Sequence, residues 1–145
     1  MPKMLDRIQM MLQGKFPPPP IATLIGFRLT SAASGEAVIE FEATERHANP
    51  MGTLHGGVLC DVADAAMGMA YASALGEGET FTTLELKINF LRPVRTGKLR
   101  AVASVVNDGR TIGLVTCDVF DEQNRLVARA TSTCMTLRGE DARGR

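Results

Sequence analysis

The chain has 145 residues, enough for one domain with a real core, and its 16 basic and 16 acidic residues cancel to a formal net charge of zero. This balance does not provide the basic surface that nucleic-acid-binding domains typically carry. The three cysteines are odd in number and match no metal-ligand spacing, so we expect reduced thiols in a cytoplasmic protein without a metal site.

The N-terminal segment is predicted to form a short helix followed by an extended proline run. Apolar residues between Met4 and Leu12 recur at helical spacing, which indicates a helix over residues 2–13 with one apolar stripe. Acidic and basic residues are mixed through this stretch, unlike the layout of a secretory signal. Phe16 and Pro17–Pro20 must then be extended, and the chain runs on to Gly26 without a predicted helix.

Two strands are predicted next, over residues 27–32 and 36–43, with the turn Ser34–Gly35 between them. In the second strand, Ala37, Ile39 and Phe41 alternate with more polar residues, as is typical of a half-buried strand. The pair is therefore interpreted as a hairpin.

The central feature is a long alanine-rich stretch between the turn at Asn49–Gly52 and the glycines Gly76 and Gly78. It predicts one long helix that begins at the glycines after His55. The helix is apolar nearly all round, which indicates burial in a core. Two aspartates within it argue against a membrane span, since each would cost roughly 2.5–3.5 kcal/mol at a bilayer centre.

These two aspartates have different interpretations. Asp61 lies near the helix start, where the helix dipole favours a negative charge. Asp64 lies about two turns in, among small and apolar neighbours, where a carboxylate is costly unless it is hydrogen-bonded. It is either a structural carboxylate bonded to a hydroxyl or amide, or a catalytic group, and we favour the catalytic hypothesis.

The glycines at the helix start support that hypothesis. Gly56 and Gly57 expose backbone N–H groups that have no partner inside the helix. Such groups can bind an anion or a developing oxyanion. An oxyanion site and a base would then lie on one rigid element.

Four further strands are predicted, over residues 80–91, 99–106, 112–120 and 126–137, and Asn107–Gly109 is a hairpin signal. Consecutive hairpin-like connections predict antiparallel order. The fold class is therefore α+β, with a long helix against a six-stranded antiparallel sheet in a single domain, 1–145, that includes an N-terminal helix within 1–16 and a charged tail, 138–145. Exposed sheet edges are expected to favour dimerisation.

With these elements assembled, the chain resembles the hotdog-fold acyl-CoA thioesterases, in particular the phenylacetate-pathway (PaaI-like) branch. The resemblance covers residues 20–137 and rests on three segments. They are Asn49 with His55-Gly56-Gly57, Asp64, Met67 and Ala70; the run from Thr83 to Pro93 followed by Gly97; and the closing hairpin pair around Gly109-Arg110.

This resemblance implies a long helix wrapped by the sheet, and a homodimer or a dimer of dimers (a homotetramer) with active sites at the subunit interface. It implies hydrolysis of an acyl-CoA or aroyl-CoA thioester to free acid and CoA, without a metal or organic cofactor. No membrane span and no nucleic-acid partner are expected.

The resemblance also implies roles for single residues. Asp64 matches the family's general base or nucleophile, and Gly56 the backbone donor to the thioester oxygen, with Gly57 beside it. The remaining matches are an asparagine that holds the carbonyl or the water, a turn-shaping histidine and a hydroxyl that orients the water: Asn49, His55 and Thr83. Strict strand alternation would instead place Thr82 on the face of Leu84 and Leu86, so Thr82 is the alternative to Thr83.

Substrate contacts are predicted as well. Basic residues that could meet the CoA phosphates are Arg92, Arg95, Lys98 and Arg110. Met67 belongs to a group of methionine, leucine and phenylalanine side chains that suit a medium aliphatic or aryl acyl group. A carrier-protein thioester is an alternative to CoA.

Three other functions would require different residues. A hotdog acyl-CoA hydratase or dehydratase would need a histidine facing an acid across the site, and His55 cannot be placed against Asp64. A non-catalytic acyl-binding protein would not need Asp64 together with Asn49 and Gly56. A cysteine hydrolase would need a base beside Cys60, whose flanks are apolar.

Overall fold

The structure of the chain is a computed structural model, and it describes residues 3–144. Residues 1, 2 and 145, which belong to the predicted N-terminal helix and charged tail, lie outside the described residues. The helices are α1 (Met4–Leu12), α2 (Pro20–Ile25) and α3 (Gly56–Ala74). The strands are β1 (Phe27–Ala33), β2 (Glu36–Ala43), β3 (Thr80–Phe90), β4 (Gly97–Asp108), β5 (Ile112–Phe120) and β6 (Leu126–Leu137). Short 3-10 helices span Glu45–His47 and Gly139–Ala142.

All six strands form one antiparallel sheet in the order β1-β2-β4-β5-β6-β3, and α3 packs across one face. The predicted α+β class and the six-stranded antiparallel sheet are confirmed. The expectation of a hairpin between β3 and β4 was wrong, because β3 pairs with β6 and β4 pairs with β2. Helix α3 carries the chain across the sheet, so β3 lies at the edge opposite β1. The link between β3 and β4 therefore has to cross back, because β4 lies beside β2.

The core lies between the sheet and one side of α3. On α3 the residues of that side have no solvent exposure: Val62, Ala63, Ala66, Met67, Ala70 and Tyr71. Alternate residues of β2, including Ile39 and Phe41, face them as predicted. The Tyr71 hydroxyl is hydrogen-bonded to Thr136 Oγ1 at 2.7 Å. Gly113 leaves room for the Tyr71 ring, since a Cβ at that position would collide with it.

Helix α2 was not predicted. Pro20 is its first residue, a position that a proline favours because its missing N–H would have no partner there. Gly26 ends the helix with φ 95°, and its N–H donates to Ala22 O at 2.8 Å. The paired signals of proline at the start and glycine just after the end were present, but the proline run before them favoured an extended chain.

A β-bulge in β3 decides which threonine faces α3. Thr83 pairs with Cys134 and Glu85 pairs with Thr133, so Leu84 is an extra residue without a partner on β6. Directly paired residues lie on the same face, and Cys134 is fully buried on the face toward α3. Thr83 therefore shares that face with Leu86, which pairs with the buried Ser132. The strict alternation that placed Thr82 there was wrong.

None of the helices in residues 3–144 combines the length and the apolar character that a membrane crossing requires.

Candidate active site

The side chain of Asp64 on α3 is exposed in the single chain, as are Asp61 and Gly57. The expectation of a buried carboxylate was wrong, since Ala63 and Met67 enter the core whereas Asp64 lies at the exposed edge of the helix. Within residues 3–144 its carboxylate accepts no side-chain hydrogen bond, so the alternative of a structural, hydrogen-bonded carboxylate finds no partner there.

Asp64 is nevertheless partly covered by the protein around it. Desolvation by the protein around it raises the pKa of Asp64, and the nearby negative charge of Asp61 raises it further. A carboxylate that is accessible yet poorly solvated holds its proton at a higher pH than an ordinary aspartate. This brings its pKa closer to the range in which a general base works well.

Thr83 and Asp64 share a neighbour. Thr83 Oγ1 lies 3.9 Å from Cys134 Sγ. Burial raises the pKa of the Cys134 thiol, and the negative charge of Asp64 adds to that shift. We call Asp64, Thr83 and Cys134 the mid-helix cluster. Cys134 was not singled out by the sequence, and no local signal marks it.

The N-terminus of α3 is capped by His55. Its Nδ1 accepts a hydrogen bond from the Gly57 N–H at 2.9 Å, and its carbonyl accepts one from Val58 N–H at 3.0 Å. The Gly57 N–H is therefore already used. Among residues 3–144 the Gly56 N–H has no hydrogen-bond partner, so it is the donor that this helix end offers.

Packing against Phe90 also requires a glycine at position 56. A Cβ at this position would lie 2.8 Å from Phe90 Cζ, so only glycine lets the ring at the end of β3 rest against the start of α3. This contact brings the end of β3 beside the free N–H. It links two segments that the sequence separates by more than thirty residues, so it could not be predicted.

Asn49 organises the turn that precedes α3. Its Oδ1 accepts from the N–H groups of Met51 at 3.0 Å and Thr53 at 3.1 Å, and its Nδ2 donates to Thr53 Oγ1 at 2.8 Å. One Nδ2 proton has no partner in the described part of the chain. The Leu54 N–H donates to Val94 O at 2.7 Å, which ties this turn to the link after β3. We call Asn49, His55, Gly56 and Phe90 the N-terminal cluster.

The two clusters lie apart on one helix. Gly56 and Asp64 are separated by eight residues, which corresponds to about 12 Å along a helix axis. A general base has to come within hydrogen-bond reach of the group on which it acts. The free N–H and the carboxylate of one chain therefore cannot act on the same carbonyl group.

The four basic candidates do not gather in one place. Arg95 lies beside the turn before α3, with Nη1 3.5 Å from Gly52 O, and Arg92 is in the same link. Arg110 lies between β4 and β5, near the start of β3, so the length of β3, roughly 30 Å, separates it from Arg92. Within one chain they cannot contact the same phosphate. Lys98 is at the start of β4, where its backbone N–H donates to Glu122.

Met67 lies in the core, with no solvent exposure, rather than on the surface that carries Asp64. The α3 residues that border open space next to Asp64 are Asp61, Ala65 and Met69. In residues 3–144, His, Cys, Asp and Glu side chains form no group of three that could hold a metal ion.

Residues 51–128 match the family model described as the thioesterase superfamily. This range holds α3, β3 and the free Gly56 N–H, and it covers more than half of the chain. The chain belongs to the thioesterase superfamily. Membership confirms the predicted family and enzyme class, a thioester hydrolase.

Solved structures support the same fold for this thioesterase. A thioesterase from Haemophilus influenzae superposes with a TM-score of 0.77 at 30% identity, over 81% of this chain and 82% of that chain. A mutant form of the phenylacetic acid degradation protein PaaI from Thermus thermophilus gives a TM-score of 0.75 at 29% identity, over 81% of this chain and 98% of that one. The second structure agrees with the predicted PaaI-like resemblance.

Among characterised sequences, the thioesterase is similar to the 1,4-dihydroxy-2-naphthoyl-CoA hydrolase of Listeria monocytogenes. The two are 29% identical over 109 residues, which cover 75% of this chain and 89% of that protein.

Proposed function

We propose that this thioesterase hydrolyses acyl-CoA or aroyl-CoA thioesters to free acid and CoA, in an active site built from two subunits. The observation that carries the proposal is the separation of the N-terminal and mid-helix clusters on α3. Each cluster supplies half of what thioester hydrolysis needs, and one chain cannot bring both halves to one carbonyl. The name of the Listeria relative supports a CoA thioester as substrate.

In the proposed reaction, the Gly56 N–H and the Asn49 amide of one subunit donate to the thioester oxygen. Asp64 of the partner subunit acts either as a general base toward water or as a nucleophile, and Thr83 beside it orients the water. With Asp64 as base, water oxygen attacks the carbonyl carbon and its proton passes to the carboxylate. The carbon–sulfur bond then breaks, and the CoA thiolate leaves and takes up a proton. The negative oxygen formed on the way is stabilised by the N–H donors.

The sheet edge supports a homodimer. β3 is the last strand of the sheet, so one row of its backbone N–H and C=O groups faces outward. Leu84, Phe90 and Leu91 are 51%, 55% and 56% exposed along this edge. We propose that two β3 strands meet here and bring the N-terminal cluster of one subunit to the mid-helix cluster of the other. Assembly of two dimers into a tetramer is part of the same proposal.

Arg92 and Arg95 fit the CoA end of the substrate better than Arg110. They lie in the link that is tied to the turn before α3, on the same side as the proposed oxyanion donors. Guanidinium groups bind phosphates strongly and often through two parallel hydrogen bonds. The three free thiols, Cys60, Cys117 and Cys134, support a reducing compartment such as the cytoplasm.

Release of free thiol from a panel of aliphatic and aryl CoA thioesters tests this proposal. Wild type should turn over several members of the panel, and Asp64→Asn should lose activity by roughly 100- to 10,000-fold while it keeps its fold and its oligomeric state. Asp108→Asn makes the same chemical change at an exposed position at the end of β4 and should retain wild-type rates.

Wild-type turnover by Asp64→Asn would remove Asp64 from the mechanism. No thiol release by wild type from any thioester would contradict the hydrolase proposal itself. Hydration of enoyl-CoA and binding of acyl-CoA without turnover would then be measured, since they report on the hydratase and acyl-binding alternatives.

A further inference from the structure

A cleft of about 790 Å³ opens between the N-terminal segment and α3. Leu12, Phe16 and Ile21 of that segment form one wall, and Ala65, Met69 and Asp64 of α3 form part of the other. The lining is mostly apolar, and its volume lies within the range of small-molecule sites, roughly 300–1,000 Å³. Asp64 therefore belongs to the mid-helix cluster and also borders an apolar space.

The outer wall of the cleft is held in place by contacts to the sheet and to the 3-10 helix that follows β2. Gln9 Nε2 donates to Ala32 O at 2.7 Å, which ties α1 to β1, and Ile8 of α1 is buried. His47 Nε2 lies 2.8 Å from Ile25 O at the end of α2, and His47 Nδ1 accepts from the Thr44 N–H at 3.0 Å. Because Nδ1 accepts, Nε2 carries the proton and donates to Ile25 O. The cleft thus has two fixed walls.

We propose that this cleft binds the acyl or aryl group of the substrate, and that the N-terminal segment, through Ile21 and Phe16, sets the size of the group that is accepted. This inference rests on the proposed thioester hydrolysis. A carbonyl carbon presented to Asp64 lies at the mouth of the cleft, and the apolar group attached to it can enter the mostly apolar space behind. The acyl end would then lie in the subunit that provides Asp64, and the CoA end on the subunit that provides Gly56.

Two neighbouring residues of α2 offer a matched test. Ile21 lines the cleft and is 46% exposed, whereas Leu24 is 76% exposed and lies outside the lining. The chain contains no tryptophan, so Ile21→Trp and Leu24→Trp would each carry a single fluorescent reporter. Both variants add bulk to the same exposed helix, but only one adds it inside the cleft.

The first readout is the ratio of kcat/KM for decanoyl-CoA to kcat/KM for acetyl-CoA. Ile21→Trp should lower this ratio about tenfold or more, because a hydrophobic pocket discriminates by roughly 10- to 200-fold per methylene group gained or lost. Leu24→Trp should keep the wild-type ratio. A change of the ratio in both variants, or in neither, would overturn the inference.

The second readout does not depend on turnover. A non-hydrolysable CoA thioether with a decyl chain should shift the tryptophan emission of Ile21→Trp to shorter wavelength in a saturable way. The ethyl analogue should not, and Leu24→Trp should respond to neither. If wild type releases no thiol but the decyl analogue shifts Ile21→Trp, hydrolysis is wrong and the acyl site stands. If wild type hydrolyses acyl-CoA but Ile21→Trp shows neither effect, the acyl site is wrong and hydrolysis stands.

Discussion

The N-terminal cluster and the mid-helix cluster lie on the same helix but are built in opposite ways. The first is assembled mainly from residues close in sequence: Asn49 bonds to Thr53, and His55 bonds to Gly57. The second joins Asp64, Thr83 and Cys134 from three separate elements. A rigid helix keeps the two clusters at a fixed distance, so under the proposed function one chain carries two halves of a site rather than one whole site.

The two clusters also differ in charge. The N-terminal cluster combines the positive end of the α3 dipole with Arg92 and Arg95 nearby, and so favours an oxyanion and phosphates. The mid-helix cluster holds Asp64 with Asp61 one turn before it, next to the apolar cleft. A CoA thioester has a phosphate-bearing end and an apolar end, and this polarity matches the pair of clusters.

The largest expected effect comes from disabling one cluster in one subunit and the other cluster in its partner. Asp64→Asn disables one cluster, and Asn49→Asp disables the other while its carboxylate can still accept the turn hydrogen bonds from Met51 and Thr53. Each variant alone should fall about 100-fold or more in thiol release. Dimers mixed from both variants should recover about a quarter of wild-type activity, because half of a random mixture is heterodimer with one intact site in two.

Differently tagged subunits, purified over both tags, show that mixed dimers have formed. If such dimers remain as inactive as the single variants, the two clusters do not act across a subunit interface. Dimers mixed from Asp64→Asn and Thr83→Ala subunits should not regain thiol-release activity, since both changes fall in the mid-helix cluster. A regain of activity in these dimers would also contradict the proposal.

A smaller effect is expected within the mid-helix cluster. Thr83→Ala should lower kcat roughly tenfold, about the value of one hydrogen bond to the attacking water. Thr82→Ala is the matched control, because the bulge at Leu84 turns Thr82 to the opposite face of β3. Steady-state thiol release with both variants measures the difference. A loss in Thr82→Ala with wild-type rates in Thr83→Ala would show that the bulge does not orient β3 as described.

The smallest effect concerns stability and pH. Because the pKa of Asp64 is raised in the folded chain, the folded state holds this proton more tightly than the unfolded state. Its contribution to the free energy of unfolding is present below the unfolded pKa and is lost as the pH rises through the folded pKa. Asp64→Asn should therefore be more stable than wild type at neutral pH, and this difference should shrink as the pH falls through the raised pKa of Asp64 toward the usual value of an aspartate.

Urea unfolding at a series of pH values and one protein concentration measures this difference, since association also shifts the unfolding midpoint. Asp108→Asn serves again as the control, because Asp108 lies exposed at the end of β4. A variant that is less stable than wild type at neutral pH would mean that Asp64 is stabilised in its charged form, contrary to the direction of its pKa.

Much of the secondary structure was predictable because its signals are local. Strands β2, β5 and β6 were predicted with the bounds that the structure shows, since alternation and turn residues lie within each segment. The start of α3 at the paired glycines followed from an apolar, alanine-rich run after a turn. Among the candidate site residues, Gly56, His55 and Asn49 lie together because they share one turn and one helix end.

Other features were decided only by tertiary structure. The sequence by itself determined that a long apolar helix carries Asp64 and that a threonine pair precedes Leu84. Which threonine faces the helix depended on the pairing of β3 with β6, and the exposure of Asp64 depended on which side of α3 the sheet covers. Strand register and residue burial arise from contacts between distant segments, so local sequence periodicity does not predict them.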